Sequence, residues 1–292
     1  MSFTSMDDLV AEISAGKFNR ADWNKITGAA AYTAGRWYDF SGLNGTPVAN
    51  AWAGTALAWR ACDETTGNGT QIFGLPHGGA VTPDTKHGLN VSAVTAVATG
   101  VPAQLMLVDM QGYWPSISNN TTSPQTLTGT PAPRYTNGEG CRLYAVQTAA
   151  AGATAQNIAL SYTDQAGNTD NTLPVTVSMT ASGIVGHMSH SGTAANNYGP
   201  FLPLASGDTG VRNVATVTMS AANTGTFALV MARPLLTLPI TTVGVAAERD
   251  LLNQLPSLPQ IKDGACLTWL YFSGAATAAS SNFYGALESA WG

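Results

Sequence analysis

The residues best suited to chemistry fall in a few short stretches. In "GHMSHSG", His187 and His190 stand three apart. On a helix that spacing would put two imidazoles on one face, the start of a zinc site. Gly183, Gly186 and Gly192 flank the stretch and argue against a helix, and no cysteine or carboxylate stands nearby at ligand spacing. Structural or surface histidines are the expectation. In "LPHGGAVTPDTKHG", His77 and His87 flank a glycine-rich loop that could hold a metal or a sugar. Asp63, Glu64, Asp84 and Asp109 could supply a glycosidase pair, but their flanks are turn-like, so they read as solvent-facing turn residues. Trp37, Trp52, Trp59 and Trp114 could line a carbohydrate groove, although aromatics at strand spacing belong more often to a core. Around Ser189 the order Gly-x-Ser-x-Gly of a nucleophile elbow is missing, and no glycine-rich loop carries a phosphate-binding lysine. The sequence therefore assigns no catalytic residue, no cofactor and no metal ligand, and the chain reads as a non-enzyme.

The background in which these residues sit is unusual. Of 292 residues, 45% are apolar and only 10% are charged, against about 25% charged in an average soluble domain. Alanine, glycine, threonine, serine and asparagine fill the difference. A chain with so little charge lacks the usual means of keeping a monomer's surface apart from other proteins, so much of its surface is expected to meet protein. Net charge is −5, with 12 basic residues spread thinly, which excludes binding to nucleic acid through phosphate neutralisation. No apolar run approaches the length of a membrane span. The N-terminal "MSFTSMDDLVAEIS" lacks the basic and apolar regions of a signal peptide. Three widely spaced cysteines, Cys62, Cys141 and Cys266, fit a reduced site of synthesis in the cytoplasm.

The elements that must position these residues are mostly strands. Residues 5–26 read as helical: Ser5 is an N-cap, Asp7 and Asp8 favour the positive end of the dipole, and Leu9, Val10 and Ile13 form an apolar face ending at Gly16. "FNRADWNKI" extends the arm by a further turn or two. From Ala31 onward, short runs of valine, leucine, tyrosine, tryptophan and threonine alternate with Gly, Pro, Asn and Asp turns. The fold class is mainly β: tandem antiparallel β-sandwich or barrel-like units with a short N-terminal helical arm and a C-terminal β-hairpin. The expected division is an arm over 1–33, a first β unit over 34–130, a second over 131–243, and a connector with the hairpin over 244–292. Pro131 and Pro133 mark the main boundary. Ala246 to Leu255 reads as a short helix that Pro256 and Pro259 stop.

A repeat supports the two units. "DTKHGLNVSAVT" at 84–95 is echoed by "DTGVRNVATVT" at 208–218. The segments around them, 34–120 and 138–242, read as two copies of one β unit. The hairpin at 35–59 aligns with 140–162, and 264–288 is a third version. The shared Asp and Asn are expected to bond their own backbone as the chain enters a strand. Phe18 and Trp23 in the arm, and Trp269, Tyr271 and Phe272 in the last hairpin, are expected to be buried against other subunits.

The phrases "MDDLVAEISAGKFNRADWNKI", "HSGTAANNYGPFLPLASGDTG" and "AAERDLLNQLPSLPQIKDGACL" resemble those of virion structural proteins of tailed bacteriophages, over essentially the whole chain. The resemblance implies a capsid-associated role (decoration, cement or minor capsid) and brings no site residues with it. Its implied partners are further copies of the chain and other virion proteins, chiefly the major capsid protein, with the protein made in the host cytoplasm and located in the virion. A tail, baseplate or fibre protein that grips host glycans is the alternative.

Overall fold

The computed structural model describes residues 3–191, 199–254 and 258–292. In chain order the elements are α1 (Met6–Ser14), β1 (Phe18–Ile26), β2 (Arg36–Asp39), β3 (Asn44–Thr46), β4 (Arg60–Ala61), β5 (Lys86–Thr95), β6 (Ala103–Ser118), β7 (Gln125–Thr126), β8 (Arg142–Ala149), β9 (Gln156–Asp164), β10 (Asn171–Thr172), β11 (Val177–Met179), β12 (Val211–Met219), β13 (Thr226–Ile240), β14 (Ala247–Asp250), α2 (Leu251–Gln254), β15 (Gln260–Ile261), β16 (Leu267–Ser273) and β17 (Asn282–Trp291). The fold is mainly β, with antiparallel pairing throughout the strand ladders, and among the described residues no sheet closes into a barrel of strands.

Three sheets form. One runs β14-β5-β17-β1-β3 with β15 also on β5, a second runs β2-β16-β6-β13-β8 with β4 also on β6, and a third runs β10-β9-β12-β7 with β11 also on β9. The long pair β6 and β13 is the spine. Residues Leu105 and Leu107 of β6 and Leu236, Leu238 and Ile240 of β13 pack toward the first sheet. The other ends of the same strands, Trp114 and Ile117 with Phe227, Leu229 and Met231, pack toward the third. The opposite face of the spine, with Val108, Met110, Tyr113, Ala228 and Val230, encloses a further core. Strands buried on both faces read as continuous apolar runs instead of alternating ones, which is the pattern of "AQLMLVDMQGYW" and "TFALVMARPLL". Pro234 sits in β13 beside a register shift between Pro234 and Leu236, the kind of irregularity at which a strand tolerates proline.

The pairings repeat. Met110 stands opposite Ala232 and Asp109 opposite Arg233. β16 lies along the first half of β6 as β8 lies along the first half of β13, and β17 pairs β5 as β9 pairs β12. The counterpart of the 140–162 hairpin is thus 264–288 and not 35–59. The sheets also cross the divisions at 33/34, 130/131 and 243/244: β1 and β17 pair each other and share a sheet with β5, while β13 pairs β6 along its whole length. The reason is hydrogen bonding. β5 has no sequence neighbour to fill its edges, so β17 returns along one of them and β14 and β15 along the other.

Two local expectations change. α1 ends at Ser14 with Ala15 as its C-cap, and Gly16 has φ +88°, as a helix stop requires, but "FNRADWNKI" is a strand along β17 and not a further helical turn. Trp23 and Gly285 are paired there, and a Cβ on Gly285 would lie 2.6 Å from the Trp23 ring and 2.1 Å from the Ser92 carbonyl oxygen. Only glycine admits that approach. Secondly, Ala247–Asp250 is a strand on the edge of β5, with Asn90 donating to Glu248 Oε1 at 2.7 Å, and only Leu251–Gln254 is helical. Leu255 and Pro256 lie outside the described residues, as does Gly192.

Candidate functional site

The interface assignment is corrected by packing. Trp23 (3% exposed) and Trp269 (2%) pack against each other, tilted by 39° with ring centroids 5.2 Å apart, one from the first sheet and one from the second. Tyr271 is fully buried against Phe40 at 4.7 Å and Phe283 at 5.0 Å, and its hydroxyl shares a 2.6 Å hydrogen bond with Thr277 Oγ1. Phe272 is half-buried on Trp37. Only Phe18 is exposed. The hairpin supplies aromatic rings to its own chain because β16 lies between β2 and β6, and β17 between β1 and β5. Trp269→Ala is expected to cost roughly 3–5 kcal/mol, and deletion of residues 264–292 to abolish cooperative folding. A truncated chain that melts at the wild-type temperature would refute this placement.

The histidines of "GHMSHSG" fill a seam. Residues 186–189 lie between β2 and β8, bridged at Tyr38–His187 and Val146–Met188. His187 Nε2 is 2.9 Å from the Ser191 carbonyl oxygen. His190 Nε2 is 2.9 Å from that of Pro200, while the Ala145 N–H donates to His190 Nδ1 at 3.3 Å. Both rings are therefore neutral, each with its Nε2–H donated to backbone. Burial, reinforced by Arg36, lowers His187 to about 3, and burial lowers His190 to about 4.

His77 and His87 do not converge. His87 is half-buried beside Phe3, with ring centroids 5.9 Å apart. His77 belongs instead to a buried chain of polar groups with Glu64 and Lys86. Glu64 Oε1 accepts the His77 and Gly79 backbone N–H groups at 2.7 and 3.1 Å. The Lys86 ammonium donates to His77 Nδ1 at 2.9 Å and to the Gly79 carbonyl oxygen at 2.5 Å. His77 Nε2–H then faces the Ala265 carbonyl oxygen at 2.9 Å and Glu64 Oε2 at 3.2 Å. Burial, with Lys86 beside it, holds the imidazole below its ordinary range and so neutral. Carboxylate, imidazole and amine are the parts of a proton relay, but His77 is 0% and Lys86 1% exposed. A cleft of about 280 Å³ lined by Thr82, Asp84, Lys86, Lys262 and Asp263 adjoins the cluster, and His77 and the Gly79 carbonyl oxygen take two of the three Lys86 donors. The cluster pins the 63–86 loop beneath the C-terminal hairpin. Lys86 carries the signal that would have exposed it: a cation at an inward position of an otherwise alternating strand. Among the described residues no group of three His, Cys, Asp or Glu side chains is placed to hold a metal.

The carboxylates divide. Asp63 is the expected turn residue, accepting the Thr65 and Thr66 N–H groups at 2.8 and 2.7 Å. Asp84 pairs with Lys17 at 2.8 Å, and Asp208 accepts the Tyr162 hydroxyl at 2.5 Å, so the two aspartates of the repeated phrase hold distant residues and not their own backbone. Glu64 and Asp109 are buried, contrary to the solvent-facing reading, because each has partners inside the fold: the His77 and Gly79 N–H groups with the nearby Lys86 ammonium for the first, the Arg134 guanidinium for the second. Trp37 and Trp114 are buried, and Trp52 and Trp59 are half-buried on Tyr113 and Trp114. No aromatic platform for a sugar forms from these four.

The exposed large apolar side chains are dispersed. Met6 and Val10, one turn apart on α1, face away from the body while Leu9 packs inward. Val48, Ile72, Val243 and Val245 are exposed as well.

No protein-family model and no curated protein matches the sequence. Among solved structures, infectious bursal disease virus of the Gt strain matches at 9% identity, over 94% of this chain and 81% of that one, with a TM-score of 0.16. The VP2 subviral particle of the same virus matches at 8% identity, over 94% and 80%, also with a TM-score of 0.16. A likeness at that level carries no argument about fold or function.

Proposed function

We propose that this chain is a non-enzymatic structural component of a tailed-phage particle, a capsid decoration, cement or minor capsid protein that stabilises the shell through subunit contacts. The observation that carries the reading is the surface. With only 10% charged residues, it is suited to lie against protein. The phrases that resemble phage virion proteins supply the context. The buried ionisable groups also support it. His77, Asp109, His187 and His190 serve packing and hydrogen bonding inside the chain. The partners are further copies of the chain and other virion proteins, chiefly the major capsid protein. The tail or fibre alternative, with a glycan ligand, would need exposed aromatic rings beside Asp or Asn; of the tryptophans weighed for that role, Trp37 and Trp114 are buried and Trp52 and Trp59 are half-buried against the cores. The reading is tested with particles produced without this chain. They are expected to assemble and then release DNA at a lower temperature than complete particles, with stability restored by adding purified protein. Heat stability identical with and without the protein would refute a cement role.

A further inference from the structure

Two of the three cysteines meet at one seam of the second sheet. Arg60 and Ala61 of β4 pair with Tyr113 and Gly112 of β6, and the next residue, Cys62, donates its N–H to the Gln111 carbonyl oxygen at 3.0 Å. β16 pairs along the same strand up to Leu267 opposite Asp109, and the residue before it, Cys266, accepts the Met110 N–H at 2.9 Å. Two chain segments far apart in sequence thus lie end to end along one side of β6 and join at Cys62 and Cys266. Both side chains are 0% exposed and belong to the same core, with Phe73, Val108, Met110 and Leu270. Burial, with Cys62 beside it, raises the Cys266 thiol well above its ordinary range. Cys141 is also buried but packs in a different core.

From this junction we infer that Cys62 and Cys266 are a latent cross-link site, reduced on synthesis and joined as a disulfide when the protein meets a peroxide. The chemistry balances without a further reagent. Once the seam opens to water, one thiol gives up its proton and its thiolate attacks hydrogen peroxide; the O–O bond breaks, a sulfenic acid forms, and the departing hydroxide takes that proton as water. The second thiol attacks that sulfur, the S–O bond breaks, and the departing hydroxide takes the thiol proton as a second water. Peroxide is reduced by two electrons and the two sulfurs are oxidised. The packing selects this outcome over capping by a larger thiol: even a Cβ on Gly74 would lie 3.1 Å from Cys266 Sγ, so a glutathionyl group has no room. Entry of the peroxide requires local opening of the β4 end of the seam. The bond would fasten the C-terminal hairpin to the 60–62 segment and close a very long loop, the case in which a cross-link restricts the unfolded chain most.

The test uses the full chain, treated with hydrogen peroxide at a urea concentration just below the unfolding midpoint, followed by thiol titration and peptide mass spectrometry. The free thiol count is expected to fall from three to one, with a peptide pair joined through Cys62 and Cys266 and a melting temperature several degrees above that of the reduced protein. Cys141→Ser should lose both of its thiols, and Cys266→Ser should yield no internal disulfide. Retention of all three thiols, sulfinic acid at either cysteine in place of the bond, or a cross-link that includes Cys141 would overturn the inference.

Discussion

Between pH 6.5 and pH 4 the isolated protein is expected to lose most of its stability. The cause is four imidazoles that the fold keeps neutral. Burial lowers His77, His87, His187 and His190, with His187 at about 3 and His190 at about 4. Above pH 6.5 each ring is neutral both folded and unfolded, so none contributes a pH dependence. Below pH 6.5 the unfolded chain takes up protons that the folded chain refuses, and the equilibrium moves toward unfolding as pH falls. For His187 and His190 the loss is roughly 3 kcal/mol each by pH 4, a large share of the 5–15 kcal/mol that typically holds a native domain. Asp39, whose carboxyl burial raises, works in the opposite sense, but one carboxyl opposes four rings. Melting temperature followed by circular dichroism should be level above pH 7 and fall steeply below pH 6. His187→Gln, which keeps a donor for the Ser191 carbonyl oxygen, should flatten part of that fall. A melting temperature unchanged down to pH 4.5 would contradict the assignment of these rings as buried and neutral.

Replacing Arg134 with methionine is expected to cost about 3–5 kcal/mol, the usual consequence of stranding one partner of a buried ion pair. Asp109 is 0% exposed and lies in β6. Arg134 meets both of its carboxylate oxygens, and also donates to the Cys62 and Met110 carbonyl oxygens at 2.7 Å each. Its own N–H donates to Gln111 Oε1 at 2.8 Å. Without the guanidinium, the Asp109 carboxylate keeps the Cys266 N–H at 3.0 Å as its hydrogen-bond donor, and the junction of β4 with β16 loses its clamp. The double variant Arg134→Met with Asp109→Leu should recover much of the loss, since apolar groups of similar volume often replace a buried pair at little cost. Urea unfolding of the two variants reads both effects. A loss under about 1 kcal/mol for the single variant would show that the pair is solvated and not structural.

The strands were largely legible because their alternation and their flanking turns are local properties. "TFALVMARPLLTLPI" is β13 residue for residue. The repeat of "DT…NV" marks strands that occupy matching places, β5 and β12, each followed by one strand of the spine. Which strand lies beside which is a long-range property, and there the reading departed from the structure. "CLTWLYF" shows that a strand is apolar on both faces, but not whether the second face meets its own chain or another. Trp23 opposite Gly285 carries the missing signal, since a ring across from a glycine can fill the space that the glycine leaves. The polar interior was least legible. Glu64, His77 and Lys86 are separated by unremarkable turns, and Arg134 sits in the Pro- and Gly-rich stretch that reads as a boundary between units. Turn composition shows that the chain bends there, while the carboxylate that the arginine reaches is 25 residues away.

The central claim is that this protein is a shell component present in many copies. Quantitative mass spectrometry of purified particles, referenced to the major capsid protein, tests it most directly. Symmetry multiplies whatever is bound to a shell, so the account predicts hundreds of copies per particle. A count of roughly six to eighteen would move the protein to the baseplate or fibre, and its absence from particles would contradict the account outright.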